Sequence, residues 1–345
     1  MSSKDGEKVS DARSKVTSNP SGKRAVLADI VPMEQPLAIY LSPSNLCNFR
    51  CEYCSHSTPE YKVKHGHKVM SMELYRRIAD DISSSFGCIK CLALTTDSEP
   101  LTNPNIADMI AYARNKGISE TLELYTNGAL LTEELSLKLI RAGLTRTRIS
   151  VNALQDDDFI KYCGVKYSFD SFVRNVTFLF NNRGRMEVYI KILNYMVNSE
   201  ERKKRFFDVF EPISDRIGIQ ALLKSVKTID YESIAGENHD FSETMSMVEK
   251  RTGVSVCPLP FYTLRISEDG DVFPCCGSMD VETIGNICDN SLDEIWKVHA
   301  REFQRKMLDG YEFIDSCKGC TYVPYSVSFD EDYLDDKVDL IKLRY

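Results

Sequence analysis

Between residues 37 and 222 short apolar runs alternate with amphipathic segments, and the unit, roughly thirty residues long, recurs six times. Such a chain builds a parallel sheet, because only a helix-length crossover lets the next strand run in the same direction. Strands are expected at 37–41, 91–95, 121–125, 146–151, 187–193 and 216–222. The helices between them carry their own punctuation. Ser71 is placed to cap a helix in which Leu74, Ile78 and Ile82 recur every four residues. Ile106, Met109, Ile110 and Ala113 mark one face of the next, which Gly117 ends. Thr132 precedes Glu133 and Glu134 in a third, stopped by Gly143. A helix through Phe169, Val173 and Val176 and another from Glu200 complete the series. The class is α/β, either an open doubly wound sheet or a partial barrel. In both, ligands meet the loops at the carboxyl ends of the strands.

The flanking segments read differently. Residues 1–35 are polar and without apolar periodicity, which predicts a disordered tail before a core over 36–223. Residues 224–255 form a polar linker with one helix. A second module over 256–345 opens on a hairpin, its turn Glu268-Asp269-Gly270-Asp271, followed by a helix to about Met307 headed by the capping-box pair Ser291 and Glu294. With 345 residues, 43% of them hydrophobic and 27% charged, the chain can bury a large core, which excludes global disorder. A net charge of -8 gives no reason to expect a nucleic-acid partner. No apolar run approaches the roughly 18 residues of a membrane span, and the first residues lack a secretory signal, so a soluble, cytoplasmic protein without a membrane partner is expected.

Twelve cysteines then need an explanation other than disulfides, which a reducing compartment disfavours. Cys47, Cys51 and Cys54 fall within eight residues, directly after the first strand. Three close thiolates suit an iron-sulfur cluster that leaves one iron without a protein ligand; a closed zinc site would need a fourth ligand such as His56. Cys257, Cys275, Cys276, Cys288, Cys317 and Cys320 bunch again near the end of the chain, where a four-cysteine zinc ribbon closing a small domain is one reading. Cys88, Cys91, Cys163 and Cys288 read as structural, and His65 and His67 have no partner pattern.

The CxxxCxxC spacing, with aromatic Tyr53 before its last cysteine and its place after the first strand, resembles the radical S-adenosylmethionine (radical SAM) superfamily. The resemblance implies a partial (β/α)6 barrel of TIM type and a 4Fe-4S cluster on Cys47, Cys51 and Cys54 whose open iron chelates SAM. Reductive cleavage of SAM would then yield a 5'-deoxyadenosyl radical that abstracts hydrogen from substrate, with electrons from an external donor such as flavodoxin or ferredoxin. Along the same chain, Asp97-Ser98-Glu99-Pro100 stands where the family has Gly-Gly-Glu-Pro around the SAM amino group, with Asp97 or Ser98 able to accept from the ammonium. Thr126-Asn127-Gly128 resembles the family's turn after the third strand. Ser150 and Asn152 match positions that contact the SAM ribose, and Lys191 would pair with its carboxylate.

Within the second group Cys257, Cys275, Cys317 and Cys320 resemble the shortened SPASM module called a twitch domain, in which four thiolates fully ligate one auxiliary 4Fe-4S cluster. Cys276 competes with Cys275 as ligand, and the four-residue spacing after Gly270 favours Cys275. A full SPASM module would have further cysteines after Cys320, and none follow. The resemblance implies an enzyme acting on a small molecule, oxidising an alcohol carbon of a carbohydrate-like substrate with the auxiliary cluster as electron acceptor. Sugar or nucleoside decarboxylation, epimerisation and peptide maturation are the other chemistries it leaves open, and a zinc-stabilised scaffold is the non-enzymatic one.

Overall fold

The computed structural model describes residues 24–59, 61, 66–95, 98–236, 239–241, 250–277 and 281–345. Six parallel strands lie side by side in chain order: β1 (Ala38–Leu41), β2 (Ile89–Leu94), β3 (Ser119–Thr126), β4 (Arg146–Val151), β5 (Glu187–Leu193) and β6 (Arg216–Gln220). Helices Met72–Ser85, Ile106–Lys116, Glu133–Arg141, Phe169–Asn182 and Glu200–Phe210 fall where the apolar periodicity places them. Their starts follow from capping: the hydroxyls of Ser71 and Thr132 accept hydrogen bonds from the Leu74 and Leu135 amides. Among the described residues β6 pairs with β5 alone, so the sheet does not close and the architecture is a partial barrel.

A seventh strand changes the relation between the modules. β7 (Thr263–Ile266) runs parallel to β1, with Ala38 opposite Thr263 and Leu41 opposite Ile266. β8 (Asp271–Phe273) and β9 (Gly285–Asn286) extend the sheet antiparallel, giving nine strands in the order β6-β5-β4-β3-β2-β1-β7-β8-β9. The predicted hairpin turn is present, with Gly270 at φ +87°, a conformation only glycine adopts cheaply. The C-terminal module is therefore an extension of the barrel sheet. Ile287, Leu292, Ile295 and Trp296 share the main apolar core, whereas Cys257, Phe261, Cys275, Phe303, Met307 and Cys317 form a second one.

The structure corrects the sequence reading at three places. Order begins no later than Arg24: one helical turn, Leu27–Ile30, buries Leu27 and Ala28, and Val31 follows into the second core. The Trp296 indole N–H donates to the Met33 carbonyl at 2.9 Å and Arg24 pairs with Asp332 at 2.6 Å. Three apolar residues are too few to show a period, and their partners come from the far end of the chain. In the supposed linker, Tyr231 at the head of the turn Tyr231–Ala235 is 1% exposed and packed into the main core; residues 242–249 lie outside the described ones. A helix at Asp156–Cys163, with three aspartates in its first turn, was also not anticipated.

The inner face of the sheet is polar. Glu123 on β3 stands opposite Arg146, and Tyr125 opposite Arg148, which in turn stands opposite Tyr189; Ser150 stands opposite Lys191. Glu123, 2% exposed, accepts from the Arg148 Nε at 2.5 Å. Leu122, Leu124, Ile149, Val151, Ile190 and Ile192 fill the apolar core.

Leu27 tests the correction at the N-terminus. Leu27→Ala should lower stability by about 2–4 kcal/mol, the usual effect of truncating a buried leucine. Denaturant unfolding followed at Trp296 would measure it; an unchanged midpoint would mean that the segment only rests on the surface.

Candidate functional site

The strand ends open into a cavity of about 350 Å3. The loop after β1 supplies Cys47, Cys51, Tyr53 and Cys54; the loop after β2, Ser98 and Glu99; β3 and its turn, Thr126 and Asn127; β4, Ser150 and Asn152; and β5, Lys191. Every residue expected at the strand ends thus faces one space, save Asp97, which lies outside the described residues.

The cysteine loop is held from behind by the end of the Asp156–Cys163 helix. The Arg50 amide donates to the Cys163 carbonyl at 2.9 Å and the Glu52 amide to the Tyr162 carbonyl at 3.0 Å. Side chains remote in sequence complete the hold: the Tyr195 hydroxyl donates to Glu52 Oε1 at 3.2 Å, and the Tyr231 hydroxyl to the Tyr53 carbonyl at 3.1 Å. The Tyr53 hydroxyl donates to Asn152 Oδ1 at 2.9 Å, joining the loop to the end of β4. Sequence reasoning missed Tyr195 and Tyr231, which no local pattern marks, and named Cys163 only as structural.

Burial pushes the Cys47 thiol up to about 12, and Glu99, Cys51 and Cys54 add to the effect. Cys51 is raised as well, first by its hydrogen bond with Cys163 and then by burial. Thiols crowded in this way ionise together only when cations offset their charge, which iron bound to them does. Their donor set therefore fits an iron-sulfur cluster. His56, which a closed zinc site would need, packs its ring 4.2 Å from that of Tyr61 and is absent from the cavity wall. Among the described residues no three His, Cys, Asp or Glu side chains converge on a position for a single ion.

Glu99 is 1% exposed, and its carboxylate accepts from the Leu101 amide at 3.1 Å, the Thr126 hydroxyl at 2.7 Å and the Asn127 amide at 2.7 Å. Burial raises its pKa to about 7, against these three bonds, which pull it down. Asn127 in turn donates from Nδ2 to Asn48 Oδ1 at 2.8 Å, tying the turn to the cysteine loop. Gly128 has φ +74°, and a Cβ there would stand 2.8 Å from the Phe172 ring, so the Thr126-Asn127-Gly128 turn tolerates no side chain at its last position. The Ser98 hydroxyl donates to the Ser44 carbonyl, leaving its own oxygen available as an acceptor. Lys191 has its Nζ 5.8 Å from the centre of the Tyr125 ring, and burial, then Arg148, lowers its pKa to about 8.

A second chamber of about 370 Å3 adjoins the first and shares Tyr53, Lys191, Leu193, Gln220, Ser225 and Tyr322 with it. Ala221, Leu222, Leu223 and Tyr325 form its remaining wall. Behind Tyr322 lies the other cysteine group. Cys257, Cys317 and Cys320 are each raised by burial and by the neighbouring Cys275, so these four thiols gather in one apolar pocket. The Cys276 thiol turns elsewhere, towards the Thr263 and Tyr40 side chains on the inner face of the sheet. The geometry thus groups Cys275, not Cys276, with the other three.

Removing the Glu99 carboxylate leaves three donors unpaired. Glu99→Ala should cost about 1–3 kcal/mol near pH 4.5. The native carboxyl ionises near 7 instead of its ordinary 4.5, so the folded state holds the extra proton between those values and stability falls as pH rises through them. The variant lacks that fall, so its deficit should shrink from pH 4.5 to 7; a constant deficit in urea unfolding would contradict the assignment.

The sequence model of the radical SAM superfamily matches residues 41–202, and that of a SPASM iron-sulfur cluster-binding domain matches 257–321. An AdoMet-dependent heme synthase of Nitratidesulfovibrio vulgaris is 24% identical over 290 residues, 69% of this chain and 76% of its own. Among solved structures, BtrN in complex with AdoMet and 2-DOIA superimposes with a TM-score of 0.56 at 17% identity, covering 87% of this chain and 99% of BtrN. Streptococcus suis SuiB bound to the precursor peptide SuiA gives 0.60 at 14% identity, covering 89% and 76%. The iron-sulfur match across the four late cysteines displaces the zinc readings. Among the described residues no helix is long and apolar enough to cross a membrane. The chain belongs to the radical SAM superfamily: it is a radical SAM enzyme that uses S-adenosylmethionine and a 4Fe-4S cluster, with a C-terminal iron-sulfur cluster-binding domain of SPASM type.

Proposed function

We propose that this enzyme oxidises an alcohol carbon of a small carbohydrate-like molecule, passing an electron to an auxiliary 4Fe-4S cluster on Cys257, Cys275, Cys317 and Cys320. One observation carries the reading. Gly277 and Tyr322, each two residues beyond a cysteine of that set, line the same cavity as Cys47, Cys51 and Cys54, so the second cysteine group borders the reaction space. An alcohol becoming a carbonyl loses two protons and two electrons. SAM and a cluster held by Cys47, Cys51 and Cys54 would supply the acceptor for one hydrogen atom; the remaining proton and electron would leave separately, the electron to a cluster that Cys257, Cys275, Cys317 and Cys320 would hold.

The chain's own residues would seat the cofactor. Cys47, Cys51 and Cys54 hold the cluster. Ser98 or Asp97 accepts from the SAM amino group, Ser150 and Asn152 meet the ribose, and Lys191 pairs with the carboxylate. Tyr53, Glu99, Thr126 and Asn127 keep these groups in place through the hydrogen bonds already described. The second chamber then accepts the substrate: the aromatic residues Tyr53, Tyr322 and Tyr325 in its wall suit a sugar-like ring, and Gln220 and Ser225 offer hydroxyl partners. An external donor such as flavodoxin or ferredoxin would reduce the cluster that Cys47, Cys51 and Cys54 hold.

Two measurements test this. With Lys191 lowered to about 8, pairing with a carboxylate favours its charged form, so SAM affinity should fall above pH 8, by up to about tenfold per pH unit. Lys191→Met should bind SAM more weakly and lose that dependence; a pH-independent wild-type affinity would remove Lys191 from the carboxylate. For the reaction, enzyme reconstituted to about eight irons per chain, given SAM, reductant and candidate polyols, should form a product lighter by two hydrogens. Loss of carbon dioxide, an unchanged mass with inverted stereochemistry, or turnover only on a peptide would overturn the dehydrogenase reading.

A further inference from the structure

The segment that carries Cys320 does two things at once. Its Tyr322 side chain forms part of the wall of both chambers, and Tyr325 part of the second. Its backbone amides at Tyr322 and Val323 donate to the Cys320 sulfur, and the Ser326 side chain borders the Cys257 thiol while its hydroxyl donates to the Val323 carbonyl at 2.7 Å. The turn Val323–Ser326 is closed by the Tyr325 amide donating to the Tyr322 carbonyl at 2.9 Å, so wall and sulfur donors belong to one short unit. Tyr322 is also wedged from behind. A Cβ on Gly277 would lie 3.3 Å from Tyr322 Cγ and 3.4 Å from its Cβ, which places the base of this side chain directly on the backbone two residues past Cys275. Glycine at 277 allows that approach, since a Cβ there would crowd the base of the Tyr322 side chain and Leu259 Cδ1, 3.4 Å away.

Hydrogen bonds to cluster sulfurs are among the factors that set the reduction potential of an iron-sulfur centre. A ligand that presses on the Tyr322 ring moves the unit that donates those bonds. We propose that Tyr322 is a positioning residue that couples occupancy of the two chambers to the auxiliary cluster, so that the electron acceptor is tuned when the reaction space is filled. This rests on the assignment of the auxiliary cluster to Cys257, Cys275, Cys317 and Cys320. It goes beyond it by naming the residue through which the cluster senses the cavity.

The test uses the reconstituted full chain with SAM as the probe, because Tyr322 lines the chamber that holds Cys47, Cys51 and Cys54. Electron paramagnetic resonance and redox titration of both clusters are recorded with and without SAM. In the wild type SAM should shift the auxiliary signal and its midpoint potential as well as those of the first cluster. Tyr322→Phe, which keeps the ring, should retain the auxiliary shift, and Tyr322→Ala should lose it while iron content stays at the wild-type level. If Tyr322→Ala loses iron, Gly277→Ala, which displaces the ring without removing it, should alter the size of the shift. An auxiliary cluster blind to SAM in the wild type, a full shift in Tyr322→Ala, or an unaltered shift in Gly277→Ala would each overturn the coupling. Failure of the underlying assignment looks different: iron near four per chain, with no second signal to follow.

Discussion

A carboxylate taken out of water must find donors, and the way Glu99 finds them organises the reaction face. Its side chain gathers Leu101, Thr126 and Asn127, and its own amide donates to the Leu46 carbonyl at 2.9 Å. The loops after β1, β2 and β3 are thereby locked to one buried group. Parallel strands alone would leave these loops independent, because nothing in the ladder binds one strand end to the next beyond the last backbone pair. The substitution of Asp97-Ser98 for a glycine pair fits this scheme: the Ser98 hydroxyl adds a further tie to the Ser44 carbonyl.

Beneath the cavity the inner face carries more cations than carboxylates. Arg146, Arg148, Lys191 and Arg216 are set against Glu123 and Glu187. Tyrosine rings lie between them: Arg148 is 4.9 Å from the centre of Tyr125 and 5.6 Å from that of Tyr189, with Arg216 5.1 Å from Tyr189 on the other side. The resulting positive charge lies under the cavity that Cys47, Cys51, Cys54 and Glu99 line. On the face itself Arg148 and Arg146 pull the Cys91 thiol down against the burial that raises it.

What was legible in the sequence follows from locality. Strands and helices could be read because each carries its own period and cap, as with Ser71 and Leu74. The site could be read because a parallel sheet forces the residues after each strand to one end, which is how Cys47, Asn127 and Lys191 come together. Contacts between distant segments could not be read. Nothing near residue 263 announces that it pairs with Ala38, nothing in Leu27 or Val31 names the C-terminal core, and Tyr231 reaches Tyr53 across 178 positions of chain. The charged inner face was hidden for a different reason: Glu123 and Arg148 look like the solvent side of a strand until the sheet curls around them.

The pairing of β1 with β7 has a bearing on how the protein is made. β1 is completed early, yet one of its edges stays uncovered until Ile266 has left the ribosome. At about 5–20 residues per second that interval is roughly 11 to 45 seconds. Throughout it the nascent chain presents a bare strand edge, which is prone to pairing with other chains. The cysteine loop directly follows β1, so it is made and begins to fold beside that bare edge, before the strand that completes the sheet exists.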